Sequence, residues 1–486
     1  MQKAKNFLLG WIVKSPALVT FVSSLVLSLI AVAGVVTVGK DAAFYLDIAQ
    51  QTSEHGIAVA QAQFNWPWFI LLLAGTHKYL GVPLELAAYL WCAVFMAGTC
   101  ALLVDNVRRR VPAAAWWASL VVLAMPAFNE FRGDILREFG FWFFSVLTFW
   151  FALRWQVAGG WWRALSLFPA ILCAALFRLE ALLLLPALAL WQLPSLLCKE
   201  KRARAAQLYA LLVLLAGIAG LGLLLLVEVF ALPVSRLVYY ANLLNPSHLL
   251  QSFSVFAEQL GDSMTYKYSR DDAGTIIFFG MLATLLIKFG TLLGPFALLL
   301  LDRVTWKQLF LSARHFPLFA WAALLYLLVL MVFFIQEQFT ISRYGSFLNL
   351  LVVPHVALLL YLFAQRHPRL VKGLVVVALL VMLANVVSLG AKKTHYIEAG
   401  QWLSQNVASD SSIYYDDPRI AYYAGRGYPI SPPLERALAD PDAFRYLLIE
   451  ADGDEPWLLA WLQQHELRVL ARFANRKDDA VLVIGN

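Results

Sequence analysis

The chain is 486 residues long, 61% hydrophobic and 14% charged, with a formal net charge of +7. A water-soluble domain carries about 25% charged residues, so a soluble fold is excluded. The basic excess does not point to nucleic acid, because the Lys and Arg residues fall in short breaks between apolar runs, where they set membrane topology.

Residues 16–38, 211–227 and 275–301 each reach the roughly 20 apolar residues that a helix needs to cross a hydrocarbon core. The alternating pattern of a β-barrel is absent, which leaves helices as the spanning elements. Lys3, Lys5 and Lys14 ahead of the first run imitate a signal peptide. That run lacks a small-x-small cleavage pattern and is long enough to stay as a first helix.

Basic clusters at 3–14, 108–110, 154–163, 199–204, 303–314 and 366–372 are assigned to the cytoplasm by the positive-inside rule. Between them the chain leaves and returns, turning outside near 39–65, 130–138, 177–181, 229–274 and 336–343. The stretch from Arg163 to Lys199 is basic at both ends and so needs an even number of crossings. It splits at Phe177-Arg178-Leu179-Glu180 into two short or re-entrant helices. A last span over 370–389 leaves the tail outside.

The tail changes character, with frequent charges, Pro and Gly over 402–486. Strand-like runs at 412–415, 445–450 and 480–484 alternate with helical patterns at 396–406 and 455–465, which reads as a small α/β domain. The expected fold class is therefore an all-α polytopic membrane protein of about eleven transmembrane helices, followed by a small C-terminal α/β extracytoplasmic domain. The domains are 1–390, with outer loops at 39–65 and 229–274, and 391–486. Cys92, Cys100, Cys173 and Cys198 lie in or at the ends of apolar segments without CxxC spacing, and read as packing residues, not metal ligands or disulfides.

Chemistry-bearing residues gather at the outer turns. Asp41 opens the first, ahead of a short amphipathic helix over 41–50 that lies on the membrane surface. Asp41 either caps that helix or acts in catalysis. A second amphipathic piece, Phe64-Asn65-Trp66-Pro67-Trp68-Phe69, supplies an interfacial indole belt. The second turn, 129–138, holds Glu130, Arg132, Asp134, Arg137 and Glu138. The third adds Arg178 and Glu180, and the fifth adds Glu337, Arg343 and Tyr344. Each arginine could snorkel or form a structural ion pair. Several of them on one face suit a phosphate held at the lipid boundary, since guanidinium offers paired donors to phosphate oxygens. Lys78, Lys267 and Arg270 are further candidates for phosphate contact. Asp271 and Asp272 offer oxygens to a divalent cation, or form a solvated loop.

Asp41-x-x-x-Tyr45 with Trp66-Pro67-Trp68, Phe131-Arg132-Gly133-Asp134, Phe177-Arg178-Leu179-Glu180 and Ser342-Arg343-Tyr344 resemble, in this order, the GT-C class of membrane glycosyltransferases. The nearest group in style contains the aminoarabinose transferases and the protein mannosyltransferases. In the tail, Trp402-Leu403-x-x-Asn406 and Ala421-Tyr422-Tyr423-Ala424-Gly425-Arg426 are similar to that group's outer domain. The resemblance implies Asp41 as the catalytic carboxylate, Asp134 as a second acidic residue, and Arg178 or Arg343 near a carrier phosphate. Tyr45, Lys78, Arg132, Glu138, Glu180, Lys267, Arg270 and Tyr344 complete the expected substrate-binding set, and no residue is assigned as a metal ligand. Ala42, where many relatives carry an acid, and Asn65-Trp66-Pro67, where many have paired prolines, depart from the common pattern.

The expected activity is sugar transfer from a polyprenyl (undecaprenyl) phosphate carrier to a glycolipid, polysaccharide or protein acceptor at the periplasmic face of a bacterial-type inner membrane, with inversion. Partners are that donor, the acceptor and the lipid bilayer. A transporter or flippase for lipid-linked saccharides, and a structural subunit acting through its tail domain, are the competing readings.

Overall fold

The protein is described by a computed structural model over residues 15–230, 238–239, 242, 245–387 and 390–486, with the backbone alone at 219 and 222–230. Lys3, Lys5 and Lys14 of the first basic cluster, and the Glu228 side chain, lie outside the described residues.

Seven described helical segments are long and apolar enough to cross a membrane: Pro16–Ala33, Leu84–Arg110, Leu179–Leu197, Ala273–Leu301, Pro317–Glu337, Ser342–Arg366 and Pro368–Val386. Four further segments, Pro112–Ala124, Glu138–Ala158, Trp161–Phe177 and Lys199–Phe230, fill the other places of the expected series. The chain is a multi-pass membrane protein. Punctuation follows local chemistry: the Pro317–Glu337 helix starts on a proline, whose missing N–H is no loss at a helix start, and Gln338 ends it in the left-handed conformation.

The break proposed within 163–199 falls at Arg178, whose backbone is extended (φ −150°, ψ 129°) between the Leu167–Phe177 helix and the 3-10 turn Leu179–Leu183. The connections are more helical than their sequence suggested. Residues 39–65 contain helices Lys40–His55 and Ile57–Gln63, and the described part of 229–274 contains Pro246–Ser263 and Lys267–Asp271. Over 64–69 the amphipathic helical reading is corrected: 64–67 is a link, because Pro67 is the N-cap of a helix that begins at Trp68.

Packing divides the chain into two compact units. One comprises Met1–Ile30, Trp91–Arg132 and Arg137–Val386; the other comprises Ala31–Leu90, Gly133–Leu136 and Val387–Asn486. The second unit holds a four-stranded sheet of β1 (Ile413–Tyr415), β2 (Tyr446–Glu450), β3 (Arg468–Ala474) and β4 (Ala480–Gly485) in the order β1-β2-β4-β3. β1 and β2 are parallel, with Tyr415 opposite Leu448, and the other pairs are antiparallel, with Leu448 opposite Val483. Side-chain alternation sends Leu448, Val481 and Val483 to one face, against Tyr396, Ala399 and Leu403 of the Thr394–Asn406 helix. Leu447, Ile449, Leu482 and Ile484 pack on the other face with Leu458 and Leu462 of the Pro456–Gln464 helix. Both faces are covered, so the inner strands read as continuous apolar runs.

Candidate functional site

The expected site residues fall into one group in each unit, with three residues outside both.

In the first unit Gly140, in the first turn of the Glu138–Ala158 helix, lets the Phe177 ring against the backbone; a Cβ there would lie 2.3 Å from a ring carbon. This close approach carries Arg178 onto Glu138. The Arg178 guanidinium donates from Nη1 to Glu138 Oε1 (2.7 Å) and from Nε to Glu180 Oε1 (3.1 Å), and its Nη2 also bonds Glu180. Its Cζ lies 4.8 Å from the centre of the Tyr344 ring, a cation–π contact. Arg343 Nε is 3.7 Å from Glu138 Oε1. Tyr326, not singled out from sequence, donates its hydroxyl to the Tyr344 carbonyl (3.1 Å). Glu138, Arg178, Glu180, Arg343 and Tyr344 thus converge from three distant stretches of sequence. They differ in availability: the Arg178 side chain is 11% exposed and engaged by two carboxylates, whereas that of Arg343 is 24% exposed. Among the described residues Glu138 Oε2 is buried without a hydrogen-bond partner.

Arg132 lies apart from this group. It is 3% exposed, donating from Nε to Asn129 Oδ1 (2.7 Å) and from Nη1 to the Ser24 carbonyl (3.1 Å) and the Ser24 and Ser28 hydroxyls (2.9 and 3.1 Å). Its partners are all neutral. Lys267 and Arg270 are exposed on a five-residue helix, and Arg270 donates to the Met264 carbonyl (2.8 Å). Of the mid-span ionisable residues, Lys288 donates to the Thr340 carbonyl. Among the described residues no group of three or more His, Cys, Asp or Glu could hold a metal ion, and Asp271 and Asp272 are exposed.

In the second unit the Lys40–His55 helix buries Ala42, Ala43, Tyr45, Leu46, Ile48 and Ala49, leaving Asp41, Phe44, Asp47 and Gln51 along a partly exposed stripe at helical spacing. The expectation of Asp41 as cap is corrected: Gly39 holds the cap position, and Asp41 sits inside the first turn. There the helix dipole favours a carboxylate without requiring a capping bond. Asp134 arrives at the same helix start, its Oδ1 3.9 Å from where a Gly39 Cβ would be. Tyr45 is buried, its ring edge-on to Phe69 at 5.7 Å. Lys78 is exposed in the last turn of the Trp68–Leu80 helix, where a cation offsets the dipole.

Around that helix the tail supplies a ladder of polar contacts. Lys40 Nζ is 3.7 Å from Asp417, which accepts from Arg419 Nε (2.9 Å), Nη2 (2.7 Å) and backbone N–H (2.9 Å). Arg419 stacks 4.1 Å over the Tyr396 ring, and the Tyr396 hydroxyl donates to Glu450 (2.9 Å). The Val38 N–H donates to the Tyr423 hydroxyl (2.8 Å), and the Tyr428 N–H donates to Asp47 (3.1 Å). Burial tends to raise the Asp417 carboxyl, but Arg419 and Lys40 outweigh it and hold the group below its ordinary value. For Asp47 the balance reverses: burial raises it despite the bonds from Tyr428 and Gln51. The Tyr428 phenol is pushed up to about 12, by burial first and then by the charges of Asp417 and Asp41.

Over this geometry one solved structure covers nearly all of the chain. It is ArnT, an aminoarabinose transferase from Cupriavidus metallidurans crystallised with undecaprenyl phosphate bound, matching with a TM-score of 0.59 over 98% of each chain at 14% identity. The chain has a GT-C fold. No family model and no curated protein matches the sequence. The motif resemblance is thereby borne out at the level of fold. The Asp417-Pro418-Arg419 phrase, with the carboxylate and the guanidinium two residues apart, was a local signal that could have marked the ladder in advance. Asp47 had no such signal, because its partner Tyr428 lies 381 residues further along the chain.

Proposed function

We propose that the protein transfers a sugar from a polyprenyl phosphate carrier to an acceptor hydroxyl at the outer face of a bacterial-type cytoplasmic membrane. The observation that carries the reading is the approach of Asp134 to Gly39, at the start of the helix whose first turn holds Asp41, within a GT-C fold. The undecaprenyl phosphate bound to the structural neighbour supports a carrier of that class.

In the proposed step an acceptor oxygen attacks the anomeric carbon while the bond from that carbon to the carrier phosphate oxygen breaks, inverting the centre. The acceptor proton passes to Asp41, and the polyprenyl phosphate leaves as an anion. Asp134 holds the acceptor or the sugar hydroxyls. Arg343, the more exposed guanidinium of its group, stabilises charge growing on the departing phosphate. Arg178, held between Glu138 and Glu180, positions the group. Tyr344, Lys78, Lys267 and Arg270 are secondary contacts, and Tyr45 supports the helix from within. The reading further assigns residues 391–486 to the periplasm.

The test is transfer by the purified protein from synthetic polyprenyl phosphate sugars, alongside mass spectrometry of envelope lipids and glycoproteins with and without the gene. A sugar missing from one species names donor and acceptor together. Intact envelope chemistry, with no transfer from any carrier-linked sugar, would rule the reading out. An activity reporter fused after Gly390 should be active outside the cytoplasm and one after Arg204 inside; both on one side would overturn the topology.

A further inference from the structure

Within the first unit three basic clusters of the sequence come together. The Arg110 guanidinium bonds the Gln156 side chain, and Arg204 Nη1 donates to the Gln156 and Val157 carbonyls (2.7 and 3.3 Å). Gly159 and Gly160 both have positive φ (66° and 96°), which turns the chain sharply between the Glu138–Ala158 and Trp161–Leu165 helices. A Cβ on Gly159 would lie 3.4 Å from Arg204 Nε, and one on Gly160 3.8 Å from Arg163 Nη1. The glycines therefore fold the turn while leaving room for both guanidinium groups.

These elements enclose a cavity of about 450 Å³ lined by Arg109, Arg110, Arg154 and Arg163 with Leu153 and Val157. A second cavity of about 250 Å³ shares Arg110 and Val157 with it and adds Lys201 and Arg204. Among the described residues only Arg109 of the first cavity is neutralised by a carboxylate, through Asp105 at 2.6 Å. Arg154 instead stacks 4.3 Å over the Trp150 ring, Arg163 donates to the Gly159 carbonyl (3.1 Å), and Arg110 bonds a neutral amide. Among the described residues, none of these three has a carboxylate within ion-pair distance. Three guanidinium groups gathered without counter-charge repel one another, and a bound anion removes that cost while accepting paired hydrogen bonds. The larger cavity is within the roughly 300–1,000 Å³ of small-ligand sites. Leu153, Val157 and Ala158 give the cavity its apolar lining, and Trp161 and Trp162, next to Arg163 in the chain, are exposed, as indoles are at the lipid–water boundary.

We propose that this basic cavity is a binding site for a phosphate group at the membrane surface, on the side that the charge pattern assigns to the cytoplasm. The phosphate comes either from the headgroup of an anionic phospholipid or from a soluble phosphate ester. The site is separate from sugar transfer and requires none of the residues assigned to it.

The test uses full-length protein purified in detergent and offered equal amounts of phosphatidylglycerol and phosphatidylcholine, with retained lipid read by native mass spectrometry. Thermal melting with millimolar inorganic phosphate is the second arm. Wild type should retain phosphatidylglycerol at least about tenfold over phosphatidylcholine, and the Arg154→Gln, Arg163→Gln double variant should lose that preference. A phosphate-dependent rise in Tm without lipid preference, abolished in the same variant, assigns the site to a soluble ester. Should the glutamine variant fail to fold, the wild-type preference is compared with that of Arg154→Lys, Arg163→Lys, which keeps charge and loses the fork, and should weaken retention severalfold. The proposal fails if wild type shows neither preference nor phosphate effect, or if either survives unchanged in a folded variant.

Discussion

Two charged regions of this molecule are built on opposite plans. The Arg178 charge is answered within the fold: its guanidinium takes two carboxylates, and an aromatic ring covers its face. At the start of the Lys40–His55 helix, Asp41 and Asp134 bring two like charges to one helix end, and the neighbouring cation Lys40 is turned to Asp417. An arrangement that neutralises itself holds a shape. One that brings carboxylates to a half-exposed helix start offers oxygens to an acceptor hydroxyl, which is why the two regions are given different roles.

The contrast is broken most severely at Arg178. Removing one partner of a buried ion pair strands the others, at a cost of about 3–5 kcal/mol. Arg178→Ala should therefore lower folded yield and Tm in detergent, while Arg343→Ala should leave both near wild type. Equal melting of the two variants would show that the Arg178 group is not a scaffold.

Asp41→Asn should do the reverse. Because Gly39 and not Asp41 is the cap, no capping bond is at stake, and the variant should melt like wild type. Transfer with excess donor should fall about a hundredfold, or about 2.7 kcal/mol of barrier, with donor affinity retained. Wild-type turnover would remove Asp41 from the chemistry.

A smaller effect is expected at Arg343. Arg343→Lys keeps the charge and loses the paired donors, so carrier binding, measured by titration with polyprenyl phosphate, should weaken about tenfold at unchanged Tm. Unaltered affinity would leave the carrier phosphate to other residues.

The smallest effect sharpens the comparison within the second unit, where Asp417 and Asp47 shift in opposite senses. Asp417 is held below its ordinary value of 3.8, so its contribution is present above that pH and is lost as pH falls through it toward the folded value. Asp47 is raised, so its contribution is complete below its ordinary value and is lost as pH rises through the folded value. At pH 7 Asp417→Asn should lower Tm and Asp47→Asn should leave it unchanged or higher. Below about pH 4 the Asp417→Asn penalty should shrink. A penalty independent of pH would separate Asp417 from the ion pair with Arg419.

Much of the fold was legible because membrane helices are written in composition. The eleven helical places, the break at Arg178 and three of the four strands follow from apolar runs, charge clusters and alternation. β3 escaped because Arg468 and Arg472 interrupt an edge strand whose residues are mostly exposed or half-buried, leaving little alternation to read. Within the site, sequence brought forward the arginines and acids at the turns but could not rank them. Arg178 and Arg343 look alike as residues, and their difference lies in which carboxylates each meets. Tyr326 in mid-helix and Asp47 on an amphipathic stripe are ordinary in sequence and acquire meaning through partners far along the chain.

Arg132 carries a consequence for synthesis. An arginine buried at membrane depth is costly, and Arg132, in the turn after the Pro126–Asn129 helix, is bonded to neutral groups, among them Ser24 and Ser28 one turn apart on the Pro16–Ala33 helix. The Pro16–Ala33 helix, made earlier, thus serves the arginine as its water, a preassembled hydration shell waiting more than 100 residues for its ion. A chain with Ser24 and Ser28 both replaced by alanine would emerge with two of that cation's acceptors gone, and nascent-chain protease protection should reveal a delay as the 126–158 stretch enters the membrane.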